Sequence, residues 1–300
     1  MKLFLKHILV FSVIFFFAEK SIWFILNETP NKEYDKRLEK LLKGQVNKDV
    51  IVLGSSKGAG NILAGQLQSK TNFSCYNLSY QGSNVNFHYF ILKTLLKYNE
   101  VPKYVILNID DESQFVKTKT LNFRDDALFP LTKYDYVNNE LITQKKVSPL
   151  ARFLLLSRYS SYHSVFRTVF KNKINPLDSF GSMGIISNKS STHKFEFKKE
   201  KYDKILEDSK LLESFKEIQV ICDLNDINLL FVFSPRLRAF NDSFYNRFIK
   251  MINNEKNIFV YDTLNLIYEN PLYYRDSSHL LKNGAEIFTS EISDFINAQQ

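Results

Sequence analysis

The most constraining feature of the sequence is a repeated pattern in which a short apolar run precedes a stretch of helical length. The runs are rich in β-branched and aromatic residues, as expected for strands covered on both faces of a sheet. They occupy residues 49–54, 73–78, 103–109, 228–234 and 257–261. Strands that alternate with helices predict a parallel sheet between two helical layers. We therefore expect an α/β protein with a three-layer α/β/α, flavodoxin-like domain and a mainly parallel five-stranded sheet.

Residues 113–199 break this alternation and are rich in Tyr, Phe, Ser and Lys. Within them, residues 149–170 carry apolar side chains at spacings of three and four, which predicts a helix. Such a helix could cover an active site as a cap, rest on a membrane or a partner, or pack on the main domain. We expect a membrane anchor at residues 1–27, a linker at 28–48, and an α/β domain at 49–300 that carries this insertion.

The first residues of the chain predict a membrane helix. Residues 8–18 are almost wholly apolar, and Lys2 and Lys6 precede them. A helix over residues 3–26 is long enough to cross a bilayer, which takes about 20 residues. The basic residues before it favour an N-terminus inside the cell and a body outside. A cleaved signal peptide is the alternative, but Trp23 resembles an interfacial anchor and no clear cleavage site is present.

Composition argues against several other classes of protein. The net charge of +8 comes from lysines interleaved with acidic residues, without a basic stripe or an RNA-binding aromatic motif. The five histidines are scattered, and neither cysteine lies in a metal-ligand spacing. Cys75 and Cys222 are expected as buried free thiols, with a single disulfide as the alternative. We expect no metal, no cofactor and no nucleic-acid partner.

Near the end of the chain, a carboxylate and an imidazole occur at a spacing suited to acid–base chemistry. Asp276 and His279 are three residues apart in a polar segment. In one tight turn the carboxylate can accept the Nδ1–H of His279, which leaves Nε2 free to take a proton from another group. A surface turn without function would have the same sequence, so the hypothesis needs a nucleophile elsewhere in the chain.

Ser56 is the best candidate for that nucleophile. It follows the first apolar run through Gly54 and Ser55, which places it at the carboxyl edge of the sheet and at the start of a helix. An ordinary N-cap serine would suit the same position. The combination with Asp276 and His279 favours a Ser–His–Asp catalytic triad.

Further candidates follow the other runs at the same edge. Gly82 lies in the loop after the second run, where its N–H can donate to an oxyanion, and Asn84 lies in the same loop. Arg236 and Arg238 follow the fourth run, at the edge where open α/β sheets bind ligands. They are candidates for binding an anionic group of the substrate, and a surface role is equally compatible with their positions.

These elements occur in the order found in the SGNH/GDSL hydrolase superfamily, which the chain resembles over residues 49–112 and 228–297. The shared features are Gly-Ser-Ser after the first run, Gly82 after the second, and D-x-x-H followed by L-x-x-x-G-A near the C-terminus. A membrane helix with Gly-Ser-Ser in place of Gly-Asp-Ser resembles the membrane-associated acyl-transfer branch. That branch includes D-alanyl transfer proteins and alginate-type O-acetylation proteins.

The resemblance implies a role for each of the matching residues. Ser56 matches the nucleophile, His279 the base, and Asp276 the residue that orients the base. The backbone N–H groups of Ser56 and Gly82 match the donors of the oxyanion hole. The implied chemistry is acyl transfer through a serine ester.

The third block of the superfamily is different in this chain. The superfamily has Gly-x-Asn, and this chain has Asn108-Ile109-Asp110. An ionised Asp110 in the place of the asparagine would oppose oxyanion formation, and Asp110→Asn would then raise ester hydrolysis. If Asn108 or Asn84 supplies the donor instead, Asp110→Asn changes little.

We therefore expect a membrane-anchored serine esterase or O-acyltransferase that acts on an ester or acyl group of a cell-envelope glycan. A second membrane protein that supplies the acyl donor is a candidate partner. The alternative, from a different functional class, is a catalytically inactive SGNH-like protein that binds glycans or serves as a scaffold in the cell envelope. In that alternative Asp110 disables the oxyanion hole.

Overall fold

The computed structural model of the chain describes residues 1–159, 174–253 and 255–299. Contacts within the chain divide it into two compact units. The first, called the N-terminal unit, consists of Met1–Glu39 and Arg124–Lys171, and the second, called the α/β unit, consists of Lys40–Phe123 and Asn172–Gln300. The insertion predicted from the sequence is therefore divided between the two units.

The α/β unit is built around a five-stranded sheet in the order β2-β1-β3-β4-β5. The strands are β1 (Val50–Leu53), β2 (Cys75–Asn77), β3 (Tyr104–Ile109), β4 (Asn228–Phe233) and β5 (Ile258–Val260). All four neighbouring pairs are parallel. The predicted α/β class and the parallel sheet are confirmed, and the strand order is consistent with a flavodoxin-like arrangement.

Helices cover both faces of this sheet. The α-helices of the described residues are α1 (Lys2–Glu28), α2 (Arg37–Leu42), α3 (Ser56–Asn61), α4 (Ala64–Thr71), α5 (Val85–Tyr98), α6 (Asp125–Leu128), α7 (Asp135–Thr143), α8 (Ser209–Leu224), α9 (Asp242–Ile249) and α10 (Lys282–Asn297). Helices α3 and α4 pack against α10, while α5 packs against α8. Every residue of β1 and β3 is buried, because both faces of the central strands are covered.

The alternating side chains of β4 show how each face is filled. Leu230 and Val232 belong to an apolar cluster that includes residues of α10. Phe231 and Phe233 contact the ring of Phe248 in α9, with ring centroids 5.2 and 5.0 Å apart. One face of the strand is thus aliphatic and the other aromatic. Both faces bury large apolar side chains, which is the main source of stability for the sheet.

The stretch of helical length after the first strand forms two helices, α3 and α4, instead of one. The backbone is extended at Ile62 and Leu63, which interrupts the helical hydrogen bonds. Leu63 N–H donates to Thr289 Oγ1 at 3.0 Å, and Ala64 N–H donates to Ser182 Oγ at 2.8 Å. Because these acceptors come from distant parts of the chain, the break could not be derived from local sequence.

In the N-terminal unit, α1 contains 27 residues and is apolar enough to span a membrane. At about 1.5 Å per residue its length is roughly 40 Å, which exceeds the hydrocarbon thickness of about 30 Å. Its side chains up to Phe17 are exposed. Glu19, by contrast, is buried within the unit, where its carboxylate accepts a hydrogen bond from Leu155 N–H and pairs with Lys20.

The segment predicted as a helix at residues 149–170 does not begin as an α-helix. Its first part forms two 3₁₀ turns, Pro149–Arg152 and Leu156–Arg158, and its remainder from residue 160 lies outside the described residues. Arg158 explains this local shape, because its guanidinium is buried and donates to Ala151 O at 2.9 Å while pairing with Asp135 at 2.7 Å. These contacts hold the two turns against α7.

We predict that α1 is retained in the mature protein as an uncleaved anchor. Full-length protein extracted from membranes with detergent should have an intact mass that includes residues 1–28, because the helix is long enough to span and carries Trp23 near its end. Intact-mass spectrometry and N-terminal analysis measure this directly. A soluble mature chain that starts near residue 19 would identify the segment as a cleaved signal peptide.

Candidate active site

Ser56 follows the turn between β1 and α3, and a glycine on each side of it, Gly54 and Gly58, allows close packing. A Cβ atom on Gly54 would lie 2.8 Å from the Cβ of Asn108 in β3, and one on Gly58 would lie 2.7 Å from Ser79 Oγ. Only glycine fits at these distances. The turn is therefore pressed against the end of β3, and Ser56 is placed as the first residue of α3 at the carboxyl edge of the sheet.

The structure brings Ser56, His279 and Asp276 together in one hydrogen-bonded series. His279 Nε2 lies 2.8 Å from Ser56 Oγ. His279 Nδ1 lies 2.9 and 3.0 Å from the two carboxylate oxygens of Asp276. The predicted contact between serine and histidine is present, and so is the predicted contact between histidine and aspartate.

Backbone hydrogen bonds fix the turn that carries His279. Asp276 Oδ1 accepts from Ser278 N–H at 2.8 Å and from His279 N–H at 3.0 Å. Leu280 N–H donates to the side chain of Asn61 at the end of α3, at 3.1 Å. Ser277 O accepts from a backbone N–H in the loop after β4, at 3.0 Å. The turn is thus tied to the helix that starts with the serine and to the loop beside it.

The electrostatics of Asp276 suit an orienting role. Burial opposes its ionisation, but hydrogen bonds from the His279 ring and from two backbone N–H groups outweigh it and hold the pKa of Asp276 at about 2. Asp276 is therefore a carboxylate at neutral pH, and it accepts the Nδ1–H of His279. The tautomer that follows from this hydrogen bond has an unprotonated Nε2, which can accept the Ser56 proton.

An open pocket with a volume of about 390 Å³ lies at this edge, and Ser56, Gly82 and His279 are on its wall. Gly82 has a φ of +70°, a conformation that favours glycine, in the loop between β2 and α5. Its position on the same wall as Ser56 agrees with the predicted placement of an oxyanion donor. Of the oxyanion residues expected from the sequence, Ser56 and Gly82 border this pocket.

The two asparagines considered as donors are placed elsewhere. Asn84 is the N-cap of α5, and its side chain accepts from Phe87 N–H at 3.2 Å. Asn108 is fully buried, donates to Asp110 Oδ1 at 2.7 Å and accepts from Ser234 Oγ at 2.5 Å. Neither asparagine borders the Ser56 pocket, because one caps a helix and the other lies beneath the turn, and the role of either as an oxyanion donor stays a prediction.

Asp110 itself borders the Ser56 pocket. It is 4% exposed, and its carboxyl group contacts the hydroxyl of Ser55 as well as the amide of Asn108. Asp110, which follows β3, is thus a carboxyl-bearing residue on the wall of the pocket.

The two arginines expected to bind substrate have different positions. Arg236 borders the Ser56 pocket, but its Nη1 lies 2.9 Å from Asp111 Oδ2. Arg238 lies outside the Ser56 pocket; it pairs with Glu112, and also with Glu200 at 2.8 Å. Both guanidinium groups are thus matched by carboxylates of the protein, and only Arg236 is placed to contact a ligand beside Ser56.

Sequence reasoning missed Lys57, which is 4% exposed directly after Ser56. Its ammonium donates to the backbone O of Asp110 at 2.6 Å and to Asp111 Oδ2 at 3.0 Å. A lysine next to the nucleophile and two acidic residues after β3 were the available signals. Lys57 and Asp111 form a buried ion pair that joins the start of α3 to the segment after β3.

His88 in α5 was also missed. It is buried, its Nε2 lies 2.9 Å from Ser83 Oγ, and that hydroxyl lies 3.0 Å from Gly54 O in the nucleophile turn. Burial lowers the pKa of His88 to about 3, although a hydrogen bond with Gly54 acts in the opposite direction. His88 is therefore neutral at physiological pH and supports the turn through Ser83.

No group of three or more His, Cys, Asp or Glu side chains in the described residues is arranged to hold a metal ion. Cys75 and Cys222 are buried free thiols.

No protein-family model matches the sequence, and no curated protein matches it either. The class that the site defines is thus a serine–histidine–aspartate arrangement on a parallel α/β sheet.

We predict that the Lys57–Asp111 pair contributes to stability. Lys57→Met should lower the free energy of unfolding by about 3 kcal/mol, because removing one partner leaves a buried charge less compensated. The value is at the lower end of the usual range because Arg236 still pairs with Asp111. Urea denaturation of the full-length chain in detergent measures it.

Lys103→Met is the matched control. Lys103 pairs with Asp49 at 3.0 Å, but its side chain is 64% exposed. An exposed pair of this kind is worth about 0–1 kcal/mol. Adding Asp111→Asn to Lys57→Met should recover part of the lost stability. Equal stability of the Lys57 and Lys103 variants would contradict the prediction.

Proposed function

We propose that this chain is a membrane-anchored serine esterase or O-acyltransferase that acts on an ester or acyl group of a cell-envelope glycan. The observation that carries the proposal is the hydrogen-bonded series from Ser56 through His279 to Asp276. Its placement at the carboxyl edge of a parallel sheet supports the proposal, because ligands bind at that edge in open α/β folds. The SGNH-like order of motifs in the sequence gives further support.

In this proposal the reaction begins with proton transfer from Ser56 to His279. Nε2 takes the hydroxyl proton while Oγ attacks the acyl carbonyl carbon. Asp276 remains ionised and stabilises the imidazolium that forms. The negative charge that develops on the carbonyl oxygen is stabilised by the backbone N–H groups of Ser56 and Gly82. His279 then gives its proton to the leaving group, and an acyl ester of Ser56 remains.

The second half of the reaction uses the same residues in reverse. His279 removes a proton from the acceptor, whose oxygen attacks the ester carbon, and Ser56 regains its proton as the bond to Oγ breaks. Water as the acceptor gives an esterase, and a carbohydrate hydroxyl gives an O-acyltransferase. The open pocket leaves room for an acceptor beside Ser56.

The membrane helix favours transfer over hydrolysis. Cell-envelope glycans are assembled close to the membrane, and a tether raises the local concentration of the protein there. In this proposal the N-terminus lies in the cytoplasm and the α/β unit outside it, as the basic residues before α1 favour. A membrane partner would then supply the acyl group.

Covalent labelling tests the proposal. A fluorophosphonate probe should react with Ser56 in the full-length chain, because His279 accepts the hydroxyl proton as phosphorus is attacked. Labelling should be abolished in Ser56→Ala and strongly slowed in His279→Ala. Ser278→Ala, which leaves the hydrogen-bonded series intact, is the control and should be labelled like the natural chain.

A correctly folded chain in which Ser56 is not labelled would instead support the inactive glycan-binding or scaffold protein. The presence of the Asp110 carboxyl group in the pocket is the observation that favours this second candidate. Mass spectrometry of the labelled peptide locates the modified residue.

We predict that Asp276→Asn lowers the rate of ester hydrolysis by about 10,000-fold, as loss of the orienting carboxylate does in other serine triads. An asparagine in this place can no longer stabilise the imidazolium charge. The measurement is kcat for p-nitrophenyl acetate at neutral pH. In the natural chain the carboxylate is lost as pH falls through the pKa of Asp276, about 2, so its protonation should not limit activity at mildly acidic pH. A variant with nearly full activity would show that Asp276 does not act through His279.

A further inference from the structure

Asp110 poses a chemical problem for the proposed reaction. It borders the pocket that contains Ser56 and Gly82, yet a carboxylate there would repel an oxyanion. A hydrogen-bond donor at this place would instead stabilise the oxyanion. The contacts of Asp110 show how a carboxyl group could serve at the same place.

The two oxygens of the Asp110 carboxyl group have different surroundings. Oδ1 accepts from Asn108 Nδ2 at 2.7 Å, as the carbonyl oxygen of a neutral acid also can. Oδ2 contacts the hydroxyl of Ser55. In the described part of the chain, no ammonium or guanidinium nitrogen forms an ion pair with this carboxyl group. The group therefore lacks the partner that a buried carboxylate needs.

The nearby cationic side chains pair with the carboxylate of Asp111 instead. Lys57 Nζ lies 3.0 Å from Asp111 Oδ2, and Arg236 Nη1 lies 2.9 Å from the same oxygen. Lys57 also donates to the backbone O of Asp110, at 2.6 Å, and not to its carboxyl group. Of these two adjacent aspartates, Asp111 therefore forms ion pairs and Asp110 does not.

Electrostatics support the same division. Burial is the main cause that raises the pKa of Asp110; the nearby Asp111 carboxylate adds to it, while Lys57, Ser55 and His279 act against it. For Asp111, burial is outweighed by Lys57 and Arg236, which hold its pKa well below the usual range.

We propose that the protonated carboxyl group of Asp110 is the third hydrogen-bond donor of the oxyanion hole. The inference rests on the proposed function, because it assigns a residue to that reaction. Oδ2–H donates to the oxyanion, Ser55 O–H donates to Oδ2, and Asn108 holds Oδ1. No bond to the Asp110 proton breaks in the cycle: the group starts and ends as a neutral acid and stabilises charge by donation alone.

A pH dependence follows from this role. The neutral acid is present below the raised pKa of Asp110, so the donor is lost and a repelling charge appears as pH rises through that value. Besides Lys57, Asp111 and His279, the ionisable groups on the pocket wall include Glu112 and Arg236. Lys57 and Arg236 pair with Asp111, and Glu112 pairs with Arg238. We therefore expect that the loss of the Asp110 proton is the titration that alters the oxyanion hole.

The experiment compares Asp110→Asn and Asp110→Ala with the natural full-length chain in detergent. The measurement is kcat/KM for p-nitrophenyl acetate from mildly acidic to alkaline pH. Asp110→Ala removes the donor and should lower kcat/KM by about 100- to 1,000-fold where the natural chain is most active. Asp110→Asn keeps a donor that does not titrate, so the loss of activity on the alkaline side should disappear.

Asp226→Asn is the matched control. Asp226 is exposed before β4, at the opposite edge of the sheet, with a φ of +56° that asparagine tolerates. This variant should keep the activity and the pH profile of the natural chain. In addition, difference infrared spectroscopy should show the band of a protonated carboxyl group at the pH where the natural chain is most active, and that band should be absent from Asp110→Asn.

Two results would overturn the inference. One is activity of Asp110→Ala within a few fold of the natural chain, and the other is an identical alkaline limb in Asp110→Asn and the natural chain. If Asp110→Ala does not fold, the Asp110→Asn profile and the infrared band decide. Failure of the proposed function gives a different pattern, because Ser56 would then not be labelled by a fluorophosphonate in any variant.

Discussion

The parallel pairing of β1 with β2 and β3 is the constraint on which the candidate site depends. Parallel strands end at the same edge of the sheet, so the turns that follow them are gathered there whatever their separation in sequence. Ser56 follows β1, Gly82 follows β2, and Asp110 follows β3. The close approach of Gly54 to Asn108 then fixes the nucleophile turn against β3. The candidate site residues thus lie together because these strands run in the same direction.

The charged residues at this edge form a second level of organisation. Asp111, Glu112, Lys57, Arg236 and Arg238 pair with one another, and their side chains are mostly buried. Such pairing keeps these charges from acting on a ligand as free ions, because each carboxylate reduces the field of its cation. What remains open toward Ser56 is a nearly neutral wall with one unpaired carboxyl group. For the proposed reaction, this arrangement favours a neutral acyl group over a strongly charged one.

Much of this architecture could be predicted from local sequence. The β-branched runs gave the strands, the three-residue spacing of Asp276 and His279 gave their contact, and the small residues after β1 placed Ser56. The break after Asn61 could not be predicted, because its acceptors Ser182 and Thr289 are distant in sequence. The burial of Asn108 was missed for the same reason. Its neighbours Ser234 and Gly54 belong to other strands and turns, and no periodic pattern reports contacts between them.

The order of the active groups along the chain has a consequence for biosynthesis. Ser56 and His279 are 223 residues apart, and the histidine follows β5. A nascent chain that has emerged only as far as β5 therefore carries Ser56 without His279. In the proposed reaction, the Ser56 hydroxyl therefore lacks its general base until the turn that carries His279 contacts Asn61.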